Sequence, residues 1–334
     1  MRWGSRRLYT AIAGGGIIGG TAYCYSTCRS KANSTTPRQL SADEFNALQD
    51  KDLLTEAFRT THLPWSRGTQ LNGQQHKGQD FGMTLYRLLG CPYCAKVEWV
   101  LRYHSVPFEI VDVDTLSGEG IPDSRYPLVP QIRLTRVEDS SHPVSEGDEV
   151  GAYVVDSQKI ISSLSVPLGF AEELQNQRIL ETRQWITERF QAVSFVVTNG
   201  TWRDAFASYP YVTPTRYHNI FFHIIGASAL CILSKYKIKP NLKPQKSDMS
   251  EDPPKNTHVW LGKELAFFSS RLQDSPRQKF HGGKEPDIAD VEMYAVTRII
   301  DAHPRLRYLL HEGDIGEWNA AMDAEMQRRI QNNA

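Results

Sequence analysis

Cys91-Pro92-Tyr93-Cys94 sets two thiols on either side of two residues. The apolar run from Met83 to Leu89 reads as a buried strand, and Ala95, Val97, Trp99, Val100 and Leu101 give the apolar face of a following helix. Paired cysteines at such a strand-to-helix turn suit thiol redox chemistry or thiol binding in a thioredoxin-like fold. Cys91 would stand at the helix N-terminus, where unpaired backbone N–H groups and the helix dipole stabilise an anion. Its thiolate should therefore form at lower pH than that of a free thiol. Pro92 suits the first turn, where a missing N–H costs nothing. Cys94 would point back into the protein and resolve a mixed disulfide. Two rival uses of the pair are weaker. A zinc site needs four ligands, usually a second Cys or His pair at short spacing, and none follows. A structural disulfide across two residues would be strained and labile.

The elements that must position these thiols follow in order. Val106 to Val113 reads as a second strand, parallel to the first because a helix connects them. Asp114 to Arg125 is a polar loop, and Tyr126 to Leu134 ends it and enters a third strand. Val129-Pro130 stands where thioredoxin-like folds carry a cis proline opposite the cysteines, exposing the preceding backbone to a peptide-like ligand. A trans proline that merely starts a strand is the plainer alternative. After a charged loop, Val137 to Gly151, comes a short fourth strand, Ala152 to Val155. Asp156 or Ser157 would cap a helix over Gln158 to Leu164. Capping alone would account for them. A carboxylate and a hydroxyl beside free helix N–H groups would also suit an α-amino-acid end, such as the γ-glutamyl part of glutathione.

From Ala171 the pattern turns helical, with Pro210 and Pro214 as interruptions. Ile220 to Leu233 is nearly all apolar but short for a membrane span, so a central helix of an all-helical domain is expected, with Cys231 as a core thiol. Asp287 and Asp290 read as a structural helix start.

At 334 residues the chain has room for two domains. Basic and acidic residues both number 38, so no basic surplus points to nucleic acid. Five cysteines, with one close pair in the folded region, are no secreted disulfide framework. The ten histidines show no metal-binding spacing, and neither a phosphate loop nor a dinucleotide fingerprint is present. Met1 to Arg7 carries three arginines, and Leu8 to Tyr25 is uncharged and rich in glycine. A membrane anchor, a secretory signal and a mitochondrial presequence compete for this segment. An anchor within a mitochondrial targeting region is favoured, with an endoplasmic reticulum or Golgi membrane facing the cytosol as the alternative. The expected organisation is an anchor or targeting segment at 1–30, a linker with one short helix at 31–82, a thioredoxin-like domain at 83–166 and a helical domain at 171–334.

Leu85-Tyr86, Cys91 to Val97, Leu128-Val129-Pro130 and Asp156-Ser157 stand in the order and spacing of the membrane-associated prostaglandin E synthase type 2 family. Tyr211 to Thr215, Gly226 to Ala229, Leu233-Ser234-Lys235 and Phe280 to Asp290 continue the likeness through roughly residues 80–330. The chain resembles a divergent member of that family, related more broadly to glutathione transferases. The resemblance implies an α/β thioredoxin-like domain followed by an all-α glutathione transferase-like domain. It implies a thiol-dependent isomerase that converts prostaglandin H2 to prostaglandin E2. Cys91 and Cys94 would be the catalytic pair, and Val129, Pro130, Asp156 and Ser157 would hold glutathione. It further implies haem bound through the glutathione sulfur, a lipid endoperoxide as substrate, a membrane as partner and a homodimer. One departure stands out: Leu88 occupies the position where mammalian members carry a tyrosine. A glutaredoxin-like oxidoreductase acting on glutathione mixed disulfides is the alternative reading, and a non-catalytic glutathione- and haem-binding protein is a third.

Overall fold

The computed structural model describes residues 38–59, 81–114, 117–136, 151–242, 257–272 and 278–331. The expected N-terminal anchor lies outside these residues, as do loop 137–150 and residues 60–80 of the expected linker.

The first unit is β1 (Phe81–Arg87), α3 (Pro92–Tyr103), β2 (Glu109–Asp112), β3 (Gln131–Arg136), β4 (Gly151–Val155) and α4 (Ser157–Ser165). Two short helices precede it, α1 (Ala42–Ala47) and α2 (Lys51–Arg59). The strands form one sheet in the order β2-β1-β3-β4, with β1 and β2 parallel and the other pairs antiparallel. The α3 crossover is what lets β1 and β2 run parallel. Register sets Met83 opposite Leu134, Leu85 opposite Ile132, and these opposite Ala152 and Val154. Residues directly opposite share a face, so these six form one apolar surface. It shares a core with Val97, Val100 and Leu101 of α3 and Ile160, Ile161 and Leu164 of α4. This is a thioredoxin-like unit.

Residues 42–59 form two packed helices where one short helix in a linker was expected. Phe45 of α1 joins Tyr126 and Val155, while Leu53 and Ala57 of α2 enter the main core. Asn46 closes the outer edge of β4: its Nδ2 donates to the Val155 carbonyl at 3.1 Å and its Oδ1 accepts from the Val155 N–H at 3.0 Å. Gln49 accepts from the Tyr153 N–H at 3.0 Å. The edge strand thereby gains side-chain partners in place of a fifth strand.

The second unit is all α. α5 (Gln177–Trp185), a π turn (Ile186–Phe190) and α6 (Gln191–Asn199) run on as one interrupted helix. Next come α7 (Trp202–Val212), α8 (Ile220–Leu233), α9 (Thr257–Leu272), α10 (Ile288–Ala302) and α11 (Gly313–Gln331). α10 is mostly buried, and it packs on α3 through an edge-to-face contact of Trp99 with Tyr294 at 5.0 Å. Asp287 and Asp290 form a capping box at its start, and Asp290 also accepts from the Trp318 indole at 2.8 Å.

Two expectations are corrected here. Pro210 does not interrupt a helix but lies inside α7. Its missing N–H leaves the Phe206 carbonyl without its intrahelical donor. The His223 Nε2 donates to that carbonyl at 2.6 Å. The apolar run Ile220 to Leu233 is not a central helix. Only Ala227, Cys231 and Leu233 of α8 are buried, while Phe221 is 65% exposed and Ile232 58%. Hydropathy measured this segment correctly, but hydropathy does not say which faces other elements cover. Cys231 is buried, as expected.

Candidate active site

The sheet register brings the candidate residues to one place. Tyr86 lies opposite Gln131, and Gln131 opposite Val155. β1 and β4 therefore leave the sheet at the same end where β3 enters it. The Cys91 turn, Val129-Pro130 and Asp156-Ser157 all project from that end. The Val129-Pro130 bond is cis. Asp156 rather than Ser157 is the helix cap: its Oδ1 accepts from the Gln158 N–H at 2.9 Å and the Lys159 N–H at 3.3 Å. Asp156 has φ +76°, a conformation costly for any residue with a Cβ and most often kept at functional sites.

Cys91 is the cap residue of α3, with Pro92 in the first turn. Its N–H donates to the Leu88 carbonyl at 3.1 Å, and the Leu88 N–H points at the Cys94 sulfur at 3.4 Å. Cys91 is half-buried, whereas Cys94 is only 1% exposed. The Cys91 thiol is held below the ordinary thiol range, mainly by a hydrogen bond from Cys94. The backbone N–H groups of Cys94 and Tyr93 and the charge of Lys96 add to this, and burial opposes it. Burial and the Cys91 neighbour push Cys94 well above that range. Two like groups whose pKa values are driven apart are suited to different roles, the one with the lowered pKa to react as thiolate and the other to keep its proton.

The cleft beside Cys91 has a volume of about 130 Å³ and is formed where the two units meet. Arg87, Leu88 and Cys94 line one side, and Tyr211, Val212 and Arg298 the other. Gly90 sets the approach of the walls. Its φ is +73°, and a Cβ there would lie 2.5 Å from the Val212 Cβ. Val129, Pro130, Asp156 and Ser157 share the sheet end with Cys91 but do not line this cleft.

Several residues here carry no obvious signal in the sequence. Lys96 is fully buried, and its Nζ donates to Thr187 Oγ1 at 2.9 Å. Thr187 lies in the π turn between α5 and α6, a local widening often found at functional sites. Burial lowers the pKa of Lys96 itself. Arg87 pairs with Asp112 at 2.8 Å and with Glu98. Arg298 stacks on Tyr294 at 4.2 Å and pairs with Asp323 at 3.0 Å. The CPYCAK run contains Lys96, yet its burial depends on a partner 91 residues away.

Residues 85–165 match the N-terminal domain of glutathione S-transferase. A Prostaglandin E synthase 2 of Danio rerio is 23% identical over 287 residues, covering 74% of this chain and 72% of the relative. The Mus musculus Prostaglandin E synthase 2 is 21% identical over 282 residues, covering 73% and 70%. Among solved structures, poplar glutathione transferase F1 aligns at a TM-score of 0.43 with 13% identity, covering 75% of this chain and 98% of that one. The fold follows from the sheet order, the helical second unit and the domain match. Through most of its length the chain is similar to the prostaglandin E synthase 2 proteins, and its two units follow the order of a glutathione transferase fold.

Proposed function

We propose that this protein is a glutathione-binding thiol enzyme that isomerises prostaglandin H2 to prostaglandin E2 through the Cys91 thiolate. The acidified Cys91 thiol opening on a cleft between the two units carries the reading. The names of the relatives supply the substrate class. In the proposed step the Cys91 sulfur bonds to the endoperoxide oxygen on the carbon that becomes the ketone. The O–O bond breaks, and the other oxygen leaves as an alkoxide and takes up a proton. Loss of the hydrogen from the first carbon as a proton forms C=O and expels the thiolate. One proton is gained and one lost, so the product is an isomer. Glutathione would bind along the same sheet end, with its backbone paired to Val129 beside Pro130 and its γ-glutamyl end at Asp156 and Ser157. Ligand pockets usually measure roughly 300–1,000 Å³. The Cys91 cleft, at about 130 Å³, suits the reacting end of an extended lipid. Haem has no part in the proposed reaction.

The reading carries with it two domains, at 83–166 and 171–334, a homodimer and a mitochondrial membrane location. Thiol–disulfide exchange with glutathione is the second reading, favoured by the buried, proton-bearing Cys94 beneath Cys91. Turnover of prostaglandin H2 by the Cys91→Ser and Cys94→Ser variants separates the two. The isomerase requires Cys91 and survives loss of Cys94; dithiol exchange requires both.

A further inference from the structure

α8 leaves a long apolar face uncovered. Ile220, Phe221, Ile224, Ile225 and Ile232 are 46–66% exposed. Most lie three or four residues apart, so they form one stripe along the helix. We propose that this stripe docks in the plane of a bilayer interface, on an anionic lipid surface. The proposal does not depend on which reaction Cys91 performs.

The edge of the stripe has the chemistry of a lipid headgroup contact. Trp202 is 48% exposed and Tyr236 77%, and both have rings with an apolar body and a polar end. Such rings collect at membrane interfaces. Lys235 and Lys239 are exposed and Lys237 half-buried. None of the three makes an ion pair among the described residues. The sequence from 205 to 247 contains no acidic residue at all. The cationic end thus complements anionic headgroups, and long lysine stems can lie along the apolar surface with their charges in the headgroup layer.

By length and composition Ile220–Asn241 could also cross a membrane, but α8 is fastened to α7. The His223 ring stacks on Phe206 at 3.9 Å and on Tyr209 at 4.8 Å. Its Nε2 holds the carbonyl that Pro210 leaves without a donor. Gly226 lies so close to the Tyr209 ring that a Cβ would be 2.0 Å from it. Trp202 Nε1 donates to Ser228 Oγ at 3.2 Å. Pulling α8 away would take the donor from the Phe206 carbonyl and leave the α7 face bare. Lying flat needs none of these contacts to break. Tyr211, on the wall of the Cys91 cleft, sits at the same end of this hairpin as Ile220, so docking would bring the cleft close to the lipid.

The test uses the full chain with Phe221→p-benzoylphenylalanine, irradiated on vesicles of phosphatidylcholine and phosphatidylserine in equal parts. Leu48→p-benzoylphenylalanine, on the exposed end of α1, is the control. Mass analysis of the labelled peptide then reports what covers α8. A phospholipid adduct at position 221 and none at 48 is the expected result, with loss of that adduct when Lys235→Glu and Lys237→Glu are added. A cross-linked pair of chains would overturn the proposal in favour of a second copy. A link to a peptide from residues 1–37 would overturn it in favour of the N-terminal segment. Equal labelling of positions 221 and 48, or no adduct at either, would overturn it outright.

Discussion

A thiol attacks only as the thiolate, so the split between Cys91 and Cys94 decides which sulfur reacts. Lowering a pKa moves the rise in thiolate reactivity to lower pH. Alkylation of Cys91 followed against pH should therefore reach its midpoint below the value of about 8.5 for a free thiol. Cys94→Ala removes the largest stabiliser of the Cys91 thiolate and should move that midpoint up. Lys96→Met keeps the buried volume and removes the charge, and should move it up by a smaller step. Midpoints unchanged in both variants would mean that neither neighbour sets the reactivity of Cys91. Leu88 lines the cleft where the resemblance calls for a phenol. Leu88→Tyr should accordingly raise prostaglandin E2 turnover, and an unchanged rate would remove Leu88 from the account. The placement of Cys91 and Cys94 at a strand-to-helix turn was legible because its signal is local: a spacing, a strand before, a helix after. Lys96, Tyr211 and Arg298 were not, because each owes its place to residues far along the chain.

At the scale of elements, strand and helix types followed from periodicity, and the parallel pairing of β1 and β2 followed from the helix between them. The covering of each face did not. α8 reads as core from its residues, yet it meets its neighbours through one narrow face that carries His223, Gly226, Ala227 and Cys231. Gly226→Ala would force the Tyr209 ring aside and should destabilise the α7–α8 hairpin by about 1–3 kcal/mol, an ordinary cost of overpacking. Denaturant unfolding would show this, and an unchanged midpoint would mean that the ring moves freely. The start of α10 is held by the capping box and by His281, whose Nδ1 lies 2.6 Å from Asp287. Asp287→Ala should cost about 1–2 kcal/mol, as loss of a helix cap does. Burial, with the Asp287 charge beside it, raises Asp290 to about 7. An unfolded carboxyl titrates near 4. The folded state therefore holds the extra proton between these values. Stability from this group is complete at acid pH and falls as pH rises through about 7. Asp290→Asn should flatten that slope in unfolding measured from pH 4 to pH 8. A slope equal to the wild type would place the titration elsewhere.

Across the whole molecule the two units share one core, with α3 carrying Cys91 at one end and packing on α10 along its length. A ligand at the sheet end should therefore stabilise both units together. Glutathione at 100 times its Kd would add about 2.7 kcal/mol to unfolding, read as a rise in Tm. The two-unit architecture could be read from the sequence because thioredoxin-like and helical patterns follow each other in order. The packed helices at 42–59 and the exposed face of α8 could not, since both depend on what neighbouring elements leave open. The most direct test of the central claim is prostaglandin E2 formation from prostaglandin H2 by the full chain with glutathione, in the wild type, Cys91→Ser and Cys94→Ser. Turnover is expected in the wild type and Cys94→Ser and none in Cys91→Ser. Turnover that persists in Cys91→Ser, or a wild type that reduces glutathione mixed disulfides yet leaves prostaglandin H2 unchanged, would contradict it.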